Sequence, residues 1–264
     1  MKVTIIGAGN VATHLAKRLY EKKCVILQVL NRTLKNAQIL ANQVGAEAIN
    51  APQKINYSAD IYIIAVSDDA IKHTLQDLSF ILPKNKIIVH TSGATTSKVF
   101  ESYFVNYGVF YPLQSFSKER KVDFEQLPMC VDGSNTFVKN QLLTLAKKIC
   151  PNVYCIDDRQ RSVLHIAAVF ANNFANYLFT ISEQITTDEN IPFSILRPLI
   201  NETVAKISET SPILMQTGPA RRGDKETLEK HQQYLKQYPN YRKIYEILSQ
   251  NIQELYSSKK DSSQ

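Results

Sequence analysis

The sequence predicts a doubly wound α/β domain followed by an all-helical domain, and three observations predict it. Over the first half, short β-branched runs alternate with segments of helical periodicity, which implies a mainly parallel sheet covered on both faces. A glycine-rich turn, Gly7-Ala8-Gly9, stands directly between the first strand run and the first helical run. After Asp157 the pattern changes to long helical stretches without a strand signal.

Residues 2–6 (KVTII) form the first strand run, and a helical pattern continues from GAGN to about Tyr20. Val25–Leu30 reads as a second strand, and 34–44 (LKNAQILANQV) as an amphipathic helix ended by Gly45. Ile61–Val66 is wholly apolar, as a strand buried on both faces must be. A helix near 69–78, strands at Lys86–His90, Tyr107–Tyr111 and Met129–Val131, a helix around 136–148 and a strand at Val153–Ile156 continue the alternation. Residues 159–187 then keep helical spacing without Pro or Gly. Further helical segments fall near 193–207, 224–236 and 240–256, broken by Pro212, Gly218–Pro219 and Pro239. The expected domains are therefore 1–156 and 157–264. A long helix that is apolar around much of its surface buries part of itself against a partner, so the second domain is expected to form a homodimer.

Composition narrows the function classes. At 264 residues the chain is long enough for two domains, and 44% hydrophobic with 21% charged residues is ordinarily globular. No apolar run approaches the roughly 18–20 residues that span a bilayer, and the start, MKVTIIGAGN, has no signal-peptide pattern. A cytoplasmic protein without a membrane partner is expected. The four cysteines (Cys24, Cys130, Cys150, Cys155) show no zinc-ligand spacing and read as reduced small hydrophobes, so no metal is expected. The net charge of +7 is scattered, with its densest runs in the C-terminal third: a cluster at Arg221, Arg222 and Lys225, and a polar tail holding Lys259 and Lys260. That distribution fits a solvated basic surface or an anionic small ligand better than nucleic acid. The last eight or so residues are expected to be disordered.

Gly7-Ala8-Gly9-Asn10-Val11-Ala12 fits the GxGxxG/A dinucleotide fingerprint in the context that gives it meaning, after a strand and opening a helix. Gly7 allows the tight turn, Gly9 lets a pyrophosphate approach the backbone, and Ala12 lets helix and strand pack closely. The second strand ends in Asn31-Arg32-Thr33, where NAD-specific enzymes place an acid for the ribose 2′-hydroxyl. A neutral Asn31, a forked Arg32 and the Thr33 hydroxyl suit a 2′-phosphate instead, which favours NADP. Thr33 can equally cap the following helix. In an open α/β sheet ligands lie off the carboxyl ends of the strands. That places Ala65, Val66 and Ser67 on the dinucleotide path and Thr91, Ser92 and Gly93 near its nicotinamide end. Asp68 or Asp69 reads as a helix N-cap, and His90 as a structural strand-end histidine.

The combination GAGNVA, NRT, AVSDD, HTSG and Tyr111-Pro-Leu-Gln-Ser-Phe116 resembles a bacterial family of NADP oxidoreductases with a Rossmann-like domain and a C-terminal helical domain. His165-Ile-Ala-Ala-Val-Phe-Ala-Asn172-Asn173-Phe and Thr217-Gly-Pro-Ala-Arg221-Arg222-Gly223-Asp224 match the same family. The layout is more distantly similar to pyrrolinecarboxylate reductase and to the β-hydroxyacid and phosphogluconate dehydrogenases. The resemblance implies a homodimer with interlocked helical domains, an active site between the two domains, and a small-molecule substrate that it does not name.

In the β-hydroxyacid dehydrogenases a Lys early in the first interdomain helix moves the proton, with an Asn about one turn later. Here the comparable helix carries His165, with Asn172 and Asn173 two turns on. His165 and Asn172, seven residues apart, share a face of a continuous α-helix, whereas Asn173 is turned about 100° away. An imidazole suits acid–base work at neutral pH, and a buried hydrogen-bonded core histidine is the competing reading. Arg221 or Arg222 can clamp a carboxylate or phosphate with Asp224 orienting one of them, while Asp224 can also simply cap the next helix. The leading expectation is an NADP-dependent reductase or dehydrogenase acting on a small, anionic carbonyl, imine or hydroxy compound. A deazaflavin-linked NADP reductase and a non-catalytic NADP-binding sensor are the alternatives.

Overall fold

In a computed structural model, which describes residues 1–257, the chain divides into two compact units, Met1–Phe170 and Ala171–Gln264. Lys259, Lys260 and the tail expected to be disordered lie outside the described residues.

The first unit holds β1 (Lys2–Ile6), α1 (Asn10–Glu21), β2 (Val25–Leu30), α2 (Leu34–Val44), β3 (Glu47–Ile49), β4 (Ile61–Ile64) and α3 (Asp68–Ser79). It continues through β5 (Ile87–His90), β6 (Tyr107–Pro112), β7 (Met129–Gly133), α4 (Thr136–Ile149), β8 (Val153–Cys155) and α5 (Asp158–Ala168). The eight strands form one sheet in the order β3-β2-β1-β4-β5-β6-β7-β8. Every pairing is parallel except β6 with β7. The single antiparallel step arises because the chain from Leu113 to Pro128 contains no crossover helix, and a parallel return requires one. The chain winds outward from β1 in both directions, so the crevice between β1 and β4 is the switch point of the sheet.

Strand alternation sorts the core into two layers. Val3, Ile5, Ile61, Ile63, Val89 and Phe110 pack in one cluster with buried residues of α1, α2 and α4. Ile6, Tyr62, Ile64 and Ile88 pack in the other with Ile71, Leu75 and Leu78 of α3 and with Phe100 and Phe104. The fully apolar β4 has the composition this double burial demands. Gly45 ends α2 in the left-handed region at φ +63°, which is why the periodicity stops there.

The strand ends are in register. Ile6 pairs with Leu30 and Ile64, and Ile64 pairs with His90. The next residues continue the ladder: Gly7 N–H donates to Leu30 O at 2.7 Å, Ala65 N–H to Ile6 O at 2.7 Å and Thr91 N–H to Ile64 O at 3.1 Å. The carboxyl ends of four neighbouring strands therefore form one straight rim.

The sequence placed the domain boundary at 156/157, whereas the compact units meet at Phe170/Ala171. Helix α5 does begin at the expected place, with a capping box between Asp157 and Gln160. It stays with the first unit because Asp158 and Arg161 are bonded to the loop after β5. The expected uninterrupted helix over 159–187 contains a π segment, Val169–Phe174, between α5 and α6 (Ala175–Asp188). The second unit adds α7 (Arg197–Glu209), α8 (Pro212–Met215), α9 (Pro219–Arg222), α10 (Lys225–Tyr234) and α11 (Pro239–Ser257). The single-turn helices α8 and α9, read from the sequence as breaks, each start on a proline, whose fixed φ suits the first helical position.

Candidate functional site

The sharpest local constraint is at the β1–α1 turn. Gly7 has φ +117°, and a Cβ there would lie 2.2 Å from the Ala65 carbonyl oxygen, so both backbone angle and packing require glycine. Gly9 differs: its φ of −78° is ordinary, and nothing lies within 4 Å of where its Cβ would be. Gly9 is also the N-cap of α1, with no side chain bonded to the helix end and no acid in the first turn. The amides opening α1 thus face open space, a polarity that favours an anion.

That space continues into a cavity of about 730 Å³ at the β1–β4 switch point, a volume typical of a small-molecule site. Of the expected cofactor residues, Gly7, Ala8, Gly9, Asn10, Val11, Asn31, Arg32, Ala65, Val66 and Ser67 line it. Thr33, Thr91, Ser92 and Gly93 do not. Thr33 is the N-cap residue of α2, though its side chain makes no capping bond, and Asn31 Nδ2 donates to its carbonyl oxygen at 3.0 Å. Sequence reasoning missed Asn50, which follows the short β3, together with Pro52 and Asp69, His73, Thr74 and Asp77 of α3. The spacing of 69, 70, 73, 74 and 77 on α3 was the available signal, since it marks one helix face. Asp68 and Asp69 sit in the first turn of α3 with Ser67 as the N-cap residue, so neither is the cap expected from the sequence.

Thr91, Ser92 and Gly93 instead build a buried turn at the end of β5. The Ser92 hydroxyl oxygen accepts from the amides of Ala94 and Thr95. His90 is wholly buried and stacked on Phe100, with Nδ1 accepting from Ser92 N–H at 3.2 Å. Burial, reinforced by the Arg161 charge, pulls its pKa down to about 4. Histidine in the unfolded chain takes up a proton below about 6.5, and the folded ring refuses it until about 4. Stability contributed by the neutral ring is therefore complete above pH 6.5 and is lost as pH falls towards 4. Thermal unfolding scans should show this decline, and His90→Gln should flatten it; an equal decline in both proteins would remove His90 as the cause.

One face of α5 ties that turn down. Asp158 accepts from Ser97 N–H at 2.9 Å and from the Thr96 hydroxyl. Arg161, 1% exposed, donates to Thr95 O at 2.6 Å and to Asp158 at 2.7 Å. Burial raises the Asp158 carboxyl pKa, but the bonds from Thr96, Ser97 and Arg161 outweigh it and hold the group at about 2. Four residues beyond Arg161 on the same face, His165 Nδ1 lies 3.5 Å from the Tyr111 hydroxyl, the rings edge to face at 6.5 Å. A Cβ on Gly93 would lie 2.7 Å from His165 Nδ1 and 2.8 Å from Tyr111 Oη, so Gly93 is the seat on which the pair rests. Burial raises the Tyr111 pKa, and the phenol stays protonated. Tyr111 is the last residue but one of β6, next to β5; the sequence marked it only as the start of the Tyr111–Phe116 segment and did not show its pairing with His165.

The other candidates belong to the second unit. Asn172 and Asn173 lie in the π segment, whose wider turn removes the continuous α-helix on which the alignment of Asn172 with His165, and the turning away of Asn173, were argued. Arg221 donates to the Gln216 carbonyl and lies 5.1 Å over the Tyr256 ring, so its guanidinium closes its own loop. Arg222 faces Asp224 at 3.9 Å, and Asp224 caps α10 by accepting from Thr227 N–H and its hydroxyl. Gly218 and Gly223 frame this turn with φ +99° and +70°. Among the described residues, no helix is long and apolar enough to cross a membrane.

Two family models match the chain. Residues 1–86 match the model described as shikimate/quinate 5-dehydrogenase, and residues 127–252 match a domain of unknown function, DUF2520. A glutamyl-tRNA reductase of Pyrobaculum aerophilum is 51% identical over 47 residues, which span 18% of this chain and 12% of that protein. The 1-pyrroline-5-carboxylate reductase of Streptococcus pyogenes shares the fold at TM-score 0.62 and 12% identity, covering 96% of this chain and 98% of that one. The Bacteroides fragilis protein BF3122, described as a candidate NADP oxidoreductase, superposes at TM-score 0.90 with 39% identity, covering 96% of this chain and 98% of its own. With identity at that level along almost the whole of both molecules, the chain belongs to the family of that Bacteroides protein, a Rossmann domain followed by a DUF2520 helical region.

Proposed function

We propose that the protein is an NADP-dependent oxidoreductase transferring hydride to or from a small, anionic carbonyl, imine or hydroxy compound. The observation that carries this reading is the unfilled space over Gly9 and the uncapped start of α1, opening into a cavity lined by Arg32. These residues fit a dinucleotide: the α1 amides hold the pyrophosphate and Arg32 forks onto a 2′-phosphate. Asn31, where an NAD-specific site carries an acid, leaves that phosphate unopposed at the end of β2. Bound there, the cofactor supplies or accepts the hydride. In the direction of reduction, hydride goes to the substrate carbon and a proton to its oxygen or nitrogen.

The rim runs from β2 through β1 and β4 to β5 and β6, so the path from Arg32 past Gly9 and Ser67 leads to Thr91–Gly93 and the Tyr111–His165 pair. His165 is the group that handles the proton in this reading; Asn172, Asn173 and Arg221 carry no role in it, because the π segment and the Arg221–Gln216 bond remove the grounds on which the sequence assigned them one. We infer a second copy as partner of the helical unit, because α7 has no buried residue although Leu199, Val204 and Ile207 are apolar and 65%, 53% and 48% exposed.

Calorimetric titration with NADPH and NADH tests the cofactor assignment. NADPH should bind much the tighter, and Arg32→Ala should weaken NADPH by about 10- to 150-fold, since hydrogen bonds to charged groups are worth about 1.5–3 kcal/mol. NADH should change little. Equal loss of both would overturn the 2′-phosphate role of Arg32, and binding of neither to the native protein would overturn the oxidoreductase reading.

A further inference from the structure

We infer that Tyr111 is a positioning residue for His165, fixing its tautomer and ring orientation so that Nε2–H is the atom presented to substrate. The inference deepens the reading above, in which His165 meets substrate, but it rests on geometry independent of any cofactor.

Three observations converge on the pair. The Tyr111 hydroxyl lies 3.5 Å from Nδ1 of His165, the one side-chain partner recorded for that ring among the described residues. The two rings meet edge to face, at an interplanar angle of 67°, an arrangement aromatic rings favour. Gly93 leaves room for Tyr111 Cζ, Tyr111 Oη and His165 Nδ1 at 2.7–2.8 Å from the point where a side chain would begin. No other residue type at 93 leaves both side chains where they are.

Both partners are held by the framework. Tyr111 sits near the end of β6, opposite Cys130 of β7, in a strand that also pairs with β5. His165 rides on α5, which Asp158 and Arg161 fasten to Thr95, Thr96 and Ser97. A phenol in this half-buried position keeps its proton, so its O–H is available to donate to Nδ1, and that is the direction the proposal assigns. A neutral imidazole that accepts at Nδ1 carries its hydrogen on Nε2. An N–H held there can meet the carbonyl oxygen or imine nitrogen on which negative charge grows as hydride arrives, and a donor fixed beforehand is the arrangement that stabilises such charge.

The test reads the tautomer directly. Long-range proton–nitrogen correlation spectra of the ¹⁵N-labelled full chain, at a pH where imidazole is neutral, distinguish the two ring nitrogens. His165→Gln identifies the resonances by their loss. In the native protein Nδ1 should be the unprotonated nitrogen and Nε2 the protonated one. Tyr111→Phe keeps the ring and its packing and should leave a mixture of tautomers, with NADPH affinity unchanged. Gly93→Ala, which keeps the hydroxyl but pushes the pair apart, should likewise leave a mixture of tautomers. A native protein with the proton on Nδ1, or a Tyr111→Phe spectrum indistinguishable from native, would overturn the proposal. A native protein that shows the expected tautomer but binds no NADPH would leave the Tyr111 assignment standing and overturn the cofactor reading alone.

Discussion

Gly7→Ala should destabilise the first unit by roughly 4 kcal/mol or more, whereas Gly9→Ala, two residues on, should cost about 1 kcal/mol or less and yet abolish tight NADPH binding. The difference follows from what a methyl group meets at each position. At Gly7 it is driven into the Ala65 carbonyl, 2.2 Å away, from a backbone angle that L-residues avoid. Relief requires β1 and β4 to separate at the centre of the sheet, where Ala65 N–H bonds to Ile6 O. In a unit of this size that loss lowers the melting temperature by about 10 °C or more. At Gly9 the methyl enters empty space from an ordinary backbone angle, and only a ligand approaching the α1 amides is obstructed. Thermal unfolding and NADPH titration of the two variants check both halves. A Gly9→Ala protein that binds NADPH like the native one would show that no pyrophosphate rests on this turn. A Gly7→Ala protein of native stability would show that the turn can relax.

Asp158→Ala should be the second large loss, about 3–5 kcal/mol, because it strands a charge inside the protein. Arg161 is 1% exposed, and its Nε and Nη1 already lack a protein hydrogen bond among the described residues. Without Asp158 its remaining bond is to Thr95 O, and Thr96 and Ser97 lose their acceptor. Adding Arg161→Met should restore part of the stability, since it removes the uncompensated charge. Denaturant unfolding of the single and double variants measures this coupling. The pH dependence has a definite sign. The Asp158 pKa is depressed from 3.8 to about 2, so its contribution is complete above pH 4 and lost as pH falls through 2. The gap between native and Asp158→Ala should accordingly close in strong acid. An Asp158→Ala protein within 1 kcal/mol of native at neutral pH would mean that this network does not hold α5 in place.

The legible parts of the chain were those whose cause is local. The bounds of β2 and α2 follow from an apolar run and from a glycine in the left-handed region, and both ranges agree with the expected residues. The glycine turn announced the cavity because strand, turn and helix are contiguous. The three-residue β3 was too short to show a period, and with it went Asn50. The antiparallel β7 was hidden because strand direction depends on what the Leu113–Pro128 connection does in space. The π segment has no periodic signature over six residues, so the argument joining His165 to Asn172 rested on a continuous α-helix that is not there. Tyr111 was marked as the start of a motif segment, but its pairing could not be found by any local reading, since its partners lie 18 residues before and 54 after it in the chain.

The straight rim at the strand ends also bears on how the molecule assembles. Each of its rungs joins segments that are distant in sequence: Gly7 to Leu30, Ala65 to Ile6, Thr91 to Ile64. None can close until loops spanning tens of residues have been drawn together, a cost that falls before any contact repays it. The ligand-facing edge therefore has no nucleus of its own. It appears only as β1 acquires neighbours on both sides, and a nascent chain ending before β5 carries the glycine turn without the edge that gives the turn its use.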